Sequence, residues 1–164
     1  AKIRDGMRIA DFGVGSGFFT REAARVVGTL GVVYAVDIDG GLLARLKSLA
    51  SEEGLSNVEY LRGDLEKIHG SGLADEALDA VLITNVLFQA HDKEKLIEEA
   101  WRVLRKGGRA IVIDWKDSFG GLGPHPLHVF KGADAKKLFE RGGFVFMEEF
   151  PAGAYHWGYI MKKK

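Results

Sequence analysis

The chain has 164 residues, 46% hydrophobic and 28% charged, with 23 basic and 23 acidic side chains and no cysteine. That length suits one domain over 1–164 with a sizeable core, and the zero formal net charge lacks the basic excess of a nucleic-acid binder. Disulfides, thiolate metal sites and a cysteine nucleophile are excluded; no apolar run is long enough to span a bilayer; and with no signal peptide ahead of the first ordered segment the default location is cytoplasmic.

Short apolar runs alternate with helical patterns. Arg8 to Phe12 reads as a buried strand closed by Gly13. Phe19, Ala23, Val26 and Val27 then recur at helical spacing, with Gly28 placed as a C-terminal cap. Val32 to Val36 is a second strand. Leu42, Leu43, Leu46, Leu49 and Ala50 form a second helical stripe, stopped by Gly54. Val58 to Leu61 is a third strand, followed by a loop over Asp64 to Glu76 with at most a short helix. Leu78 to Thr84 is a fourth strand. Asp92 caps the next helix, whose inner face is Leu96, Ile97, Ala100, Val103 and Leu104 and which Gly107-Gly108 ends.

Ala110 to Ile113 is a fifth strand. Trp115 to Gly132 has no clear period and reads as a long loop of the kind that often carries function. Ala133 to Arg141 is a short helix. Phe144 to Phe150 and Tyr155 to Met161 are two strands joined too tightly for a parallel crossover, so they are antiparallel neighbours or one bent strand. Tyr155, His156 and Trp157 read as strand and edge residues. Lys162-Lys163-Lys164 reads as a frayed, solvated tail. The alternation implies a parallel sheet with helices on both faces, ending in an antiparallel pair.

Asp11-Phe12-Gly13-Val14-Gly15-Ser16-Gly17 lies between the first strand and the first helix. Glycines there allow a tight turn and a close ligand approach, beside the positive end of a helix; a plain turn is the alternative. Asp37 follows the second strand about twenty residues later, where a carboxylate accepts the hydroxyls of a ribose. Asp39 is a neighbouring competitor for that role. Asp64 follows the third strand and suits the exocyclic amine of a base, or simply a turn after glycine. All three positions fall at the carboxyl ends of consecutive strands, where an open parallel sheet binds its ligand.

Together with Leu104-Arg105-Lys106-Gly107-Gly108, these motifs resemble the class I S-adenosylmethionine-dependent methyltransferase family. The likeness is to the small bacterial ubiquinone and menaquinone type, over nearly the whole chain. The resemblance implies a Rossmann-like, mostly parallel α/β sheet of seven strands. It implies S-adenosylmethionine as cofactor, S-adenosylhomocysteine as product and a small-molecule acceptor. It implies that Asp11, Gly13, Gly15 and Gly17 cradle the methionine part and that Asp37, with Ile38 beside it, holds the ribose. Asp64 and Leu65 meet the adenine, and Thr84 and Asn85 lie near the amino group through their main chain. Relatives carry covering helices before the first strand, and none is expected here.

The Gly-x-Gly-x-Gly spacing departs from the Gly-x-Gly-x-x-Gly of a dinucleotide site. An acidic residue ahead of the loop suits an ammonium group better than a pyrophosphate. A non-catalytic scaffold and a nicotinamide-dependent oxidoreductase are the other two readings. Sulfonium methyl transfer needs positioning more than a base, so no catalytic residue follows from motif alone; His91 and Asp114 are the candidates. His125 and His128, with Asp117 upstream, fit no established metal spacing, and no metal is called for. The absence of cysteine argues against covalent cytosine methylation and arsenic methylation. Asn85-Val86-Leu87-Phe88 stands where an Asn-Pro-Pro-aromatic motif marks many amino-group methylases.

Overall fold

In a computed structural model describing residues 3–164, seven strands form one sheet. The strands are β1 (Arg8–Phe12), β2 (Val32–Asp37), β3 (Val58–Arg62), β4 (Leu78–Thr84), β5 (Leu104–Trp115), β6 (Phe144–Glu149) and β7 (His156–Lys163). Their order is β3-β2-β1-β4-β5-β7-β6. The first five pair in parallel, and β7 runs antiparallel to both β5 and β6. The helices are α1 (Phe18–Val27), α2 (Gly40–Glu52), α3 (Lys93–Val103) and α4 (Gly132–Arg141). Among the described residues no helix is long and apolar enough to cross a membrane.

The period-two alternation of a strand sorts side chains onto two faces. Ile9, Val33, Ala80, Leu82 and Ile111 pack with Ala23, Ala24 and Val27 of α1. Ala10, Phe12, Val36, Val81, Ile83 and Val112 face the other way, onto Leu96 and Ile97 of α3 and Ala135 and Phe139 of α4. Because both faces are covered, the central strands are mostly apolar, with Asp11 the buried exception in β1. The switch point falls at β1, where the order turns outward to β2 on one side and β4 on the other. Such a point opens a crevice at the carboxyl ends of the strands.

The structure corrects several boundaries read from the sequence. Helix α3 ends at Val103, not at Gly107-Gly108, because Leu104 already pairs with Leu78. The glycines lie within β5, where a register shift separates that pair from Ala80 and Arg109. Leu104 is buried, but as a strand residue. Val26 is exposed, and Thr20 takes a place in the buried stripe of α1. The long loop holds two short 3-10 turns, Phe119–Gly121 and Pro126–His128.

Of the C-terminal lysines, read as a frayed tail, only Lys164 is an exposed end, since Lys162 and Lys163 belong to β7. Lys163 is 1% exposed, and its ammonium donates to the carbonyls of Trp101 and Leu104 at 2.8 and 2.7 Å. It also lies 3.8 Å from the Trp101 ring centre. A cation at the carboxyl end of α3 satisfies carbonyls that the helix leaves free. Nor is Trp157 an edge residue: β7 is interior, and the indole is buried, with its N–H donating to the Phe130 carbonyl at 3.1 Å.

Candidate active site

The crevice is built on the loop from Gly13 to Gly17. Gly13 has φ +84°, and a Cβ there would lie 2.5 Å from Val86 Cγ2. Only glycine lets the β1 loop close against the segment after β4. Gly17 has φ +81° and would meet Leu46 Cδ1 at 2.6 Å, so its bareness serves the packing of α2. Gly15 has open space where a Cβ would stand.

Asp37 at the end of β2 supports this loop from beneath. One carboxylate oxygen accepts from the Val14 N–H and the other from the Asp39 N–H, both at 2.9 Å. Asp39 does something else: its side chain accepts from the N–H groups of Gly41 and Leu42 and caps α2. The two acids, with one residue between them in sequence, are thus separated by task. Asp64 turns the chain after β3, accepting from the Glu66 N–H at 3.0 Å.

Gly13, Asp37, Ile38, Asp64 and Leu65 line one cleft of about 280 Å³. Glu66, Gln89 and Ala90, not singled out in the sequence, join its wall together with Gly63, Val86 and Leu96. Glu66 was hidden by its ordinary place in a polar loop, although a second acid beside Asp64 is a local signal. Three carboxylates line the cleft and no basic side chain does.

Asp11 lies behind the loop, 1% exposed. Thr20, a hydroxyl within the buried face of α1, donates to Asp11 Oδ2 at 2.5 Å. Asp11 Oδ1 is buried and has no hydrogen-bond partner. Burial pushes this carboxyl up to about 7, against the Thr20 hydrogen bond that lowers it, and the nearby Asp37 charge adds to the rise. Thr84 is buried at the end of β4. Asn85 follows with φ +56°, its N–H bonded to the Ile113 carbonyl and its side-chain oxygen buried and unpartnered.

Asp114 has no exposed surface. Its two oxygens accept from the Phe88 N–H at 3.1 Å and the Trp115 N–H at 2.8 Å. Burial raises it to about 6 against those main-chain bonds. The carboxylate therefore ties the 3-10 turn Leu87–Gln89 to the end of β5. His91 is exposed and borders a neighbouring cleft with Phe88 and Phe130.

Residues 10–112 match the family model of the methyltransferase domain, well over half of the chain. The chain belongs to the methyltransferase family. S-adenosylmethionine is the methyl donor of this family.

A ubiquinone/menaquinone biosynthesis C-methyltransferase of Vibrio parahaemolyticus is 32% identical over 113 residues, covering 68% of this chain and 42% of that protein. The protein of the same name from Pseudomonas aeruginosa is 32% identical over 121 residues, covering 73% and 46%. The chain thus spans less than half the length of these methyltransferases. The crystal structure of an S-adenosylmethionine-dependent methyltransferase from Aquifex aeolicus superposes with a TM-score of 0.89 at 27% identity, covering 98% of this chain and 84% of that one.

Proposed function

We propose that this methyltransferase domain moves a methyl group from S-adenosylmethionine to a small-molecule acceptor, with the donor held in the cleft over β1, β2 and β3. The observation that carries the reading is an acid-lined cleft beside a glycine loop that covers a buried carboxylate with one unpartnered oxygen. A ligand with an ammonium group, two ribose hydroxyls, an adenine amine and no phosphate fits that donor set. A pyrophosphate would face Asp37, Asp64 and Glu66 with no lining cation, and like charges there oppose binding.

In this reading Asp37 accepts from the ribose, Asp64 from the adenine amine, and Leu65 and Val86 give the base apolar walls. The loop from Gly13 to Gly17 makes room for the methionine part, and the Asp11 carboxylate favours its ammonium through the loop. Thr84 and Asn85 border that end with main-chain atoms. Held there, S-adenosylmethionine would supply an electrophilic methyl group on a sulfonium sulfur that can leave with its electron pair. The protein's share is orientation and exclusion of water. Asp114 contributes by fixing the turn that walls the cleft, a positioning role; its buried, doubly bonded carboxylate does not meet an acceptor.

Calorimetry tests the reading. S-adenosylmethionine and S-adenosylhomocysteine should bind saturably and NAD should not. Asp37→Ala should weaken both by roughly tenfold or more, the worth of a hydrogen bond to a charged group. Preferential NAD binding, or unchanged affinity in a folded variant, would refute it.

A further inference from the structure

A second cleft of about 570 Å³ adjoins the first. It lies between the Leu87–Gln89 turn that follows β4 and residues 127–130 that lead into α4. Gln89 and Ala90 line both clefts, so one short segment forms the wall between them. Phe88, Leu127 and Phe130 give the second cleft apolar surface. Its charged and titratable lining is His91, Lys93 and His128, with no carboxylate. The first cleft has the opposite lining, three carboxylates and no base.

Lys93 is held in place. Its ammonium donates to the Ala90 carbonyl at 2.8 Å and sits 5.2 Å from the centre of the Phe130 ring. An ammonium has three donors, so this bond leaves two for a ligand. Lys93 also opens α3, where the helix dipole is positive. Two acids lie at that helix start: Asp92, which accepts from the Lys95 N–H as the cap, and Glu94 in the first turn. Neither lines the cleft, and the buried Asp114 carboxylate is near enough to feel the Lys93 charge.

We propose that the second cleft binds the methyl acceptor, and that the acceptor is an anionic aromatic small molecule. Lys93 and His128 hold its carboxylate, and Phe88 and Phe130 flank its ring. The acceptor role rests on the first cleft being the donor site; the preference for an anion rests on the second cleft alone. A cationic donor facing three carboxylates and an anionic acceptor facing Lys93 then sit on opposite sides of residues 86–90.

The test uses the isotope-labelled chain saturated with S-adenosylhomocysteine, titrated with 3-phenylpropanoate and with 3-phenylpropanamide and followed by NMR. The acid should shift amide resonances of residues 88–93 and 127–130 and bind at least fivefold more tightly than the amide. Lys93→Met should abolish that preference. His128→Gln, at an exposed position, should reduce it without touching the core. Equal binding of acid and amide, or shifts confined to other residues, would overturn the proposal. If S-adenosylhomocysteine itself fails to bind in calorimetry, the donor reading and the acceptor role fall together. The acid-over-amide comparison in the free protein then still decides whether the second cleft selects anions.

Discussion

Asp11 carries a pH signature that can be measured apart from turnover. Its carboxyl takes up a proton at about 7 in the folded chain and at about 4 when unfolded. Between those values the native state holds a proton that the unfolded state has lost. Stability therefore falls as pH rises from about 4 to about 7 and levels off above. Asp114, raised to about 6, adds to the decline in the lower part of that window. Asp11→Asn keeps the shape and an acceptor for Thr20 while removing the titration. Thermal melts should show the variant more stable than the parent at pH 8, with the gap closing below pH 5; parallel curves would reject the assignment. A cationic ligand favours the charged carboxylate, so S-adenosylmethionine should bind the parent more tightly as pH rises through 7, with proton release. The asparagine variant should lose that release, as read by calorimetry in buffers of different ionisation heat.

At the scale of elements, α3 organises both clefts although most of its residues never reach them. Glu99 is fully buried on its inner face. It accepts from the His69 N–H at 2.8 Å, from Ser71 Oγ at 2.7 Å and from Arg102 at 2.5 Å. Burial alone would raise this carboxyl, but the bonds from Arg102, Ser71 and His69 outweigh it and hold the group below the usual range. That contribution is present at neutral pH and is lost as pH falls through the depressed value.

Glu99 thereby pins the loop from Asp64 to Glu76. Glu99→Ala should cost about 3 kcal/mol, because it leaves the His69 and Ser71 N–H groups and the Ser71 hydroxyl without their acceptor and takes one of two carboxylate partners from Arg102, which keeps Asp75. It should also speed hydrogen exchange at His69 and Ser71 and weaken S-adenosylhomocysteine binding through Asp64. A loss below about 1 kcal/mol with unchanged exchange would contradict this. The apolar stripe of α3 was legible as Leu96, Ile97, Ala100 and Val103. Glu99 was not, because a charged residue within a helix ordinarily reads as solvated until its partners are known. Asp37 and Asp64 were legible because strand ends and a glycine loop announce themselves locally. The second cleft was not, since its walls come from segments far apart in sequence.

Across the whole molecule, strand–helix alternation predicted the parallel sheet, and the short final connection predicted the antiparallel pair. It did not predict that β7 would lie between β5 and β6, and that insertion explains the misread tail. An interior last strand carries Lys163 under the end of α3. Lys163→Met keeps the stem and removes the ammonium, and with it the donor to the Trp101 and Leu104 carbonyls and the ion pair with Glu76. We expect a loss of about 2 kcal/mol and a melting temperature lower by roughly 4–8 °C. A melt within 1 °C of the parent would mean the contacts are dispensable.

The wall shared by the two clefts also bears on how such a domain diversifies. The stretch matching the family model ends at Val112, before residues 127–130 that close the second cleft. The loops holding the acid-lined cleft all fall inside that stretch. The second cleft therefore has one wall inside that stretch, Phe88 to Lys93, and one outside it, Leu127 to Phe130, so a substitution at 127–130 alters this cleft without changing any residue that lines the first.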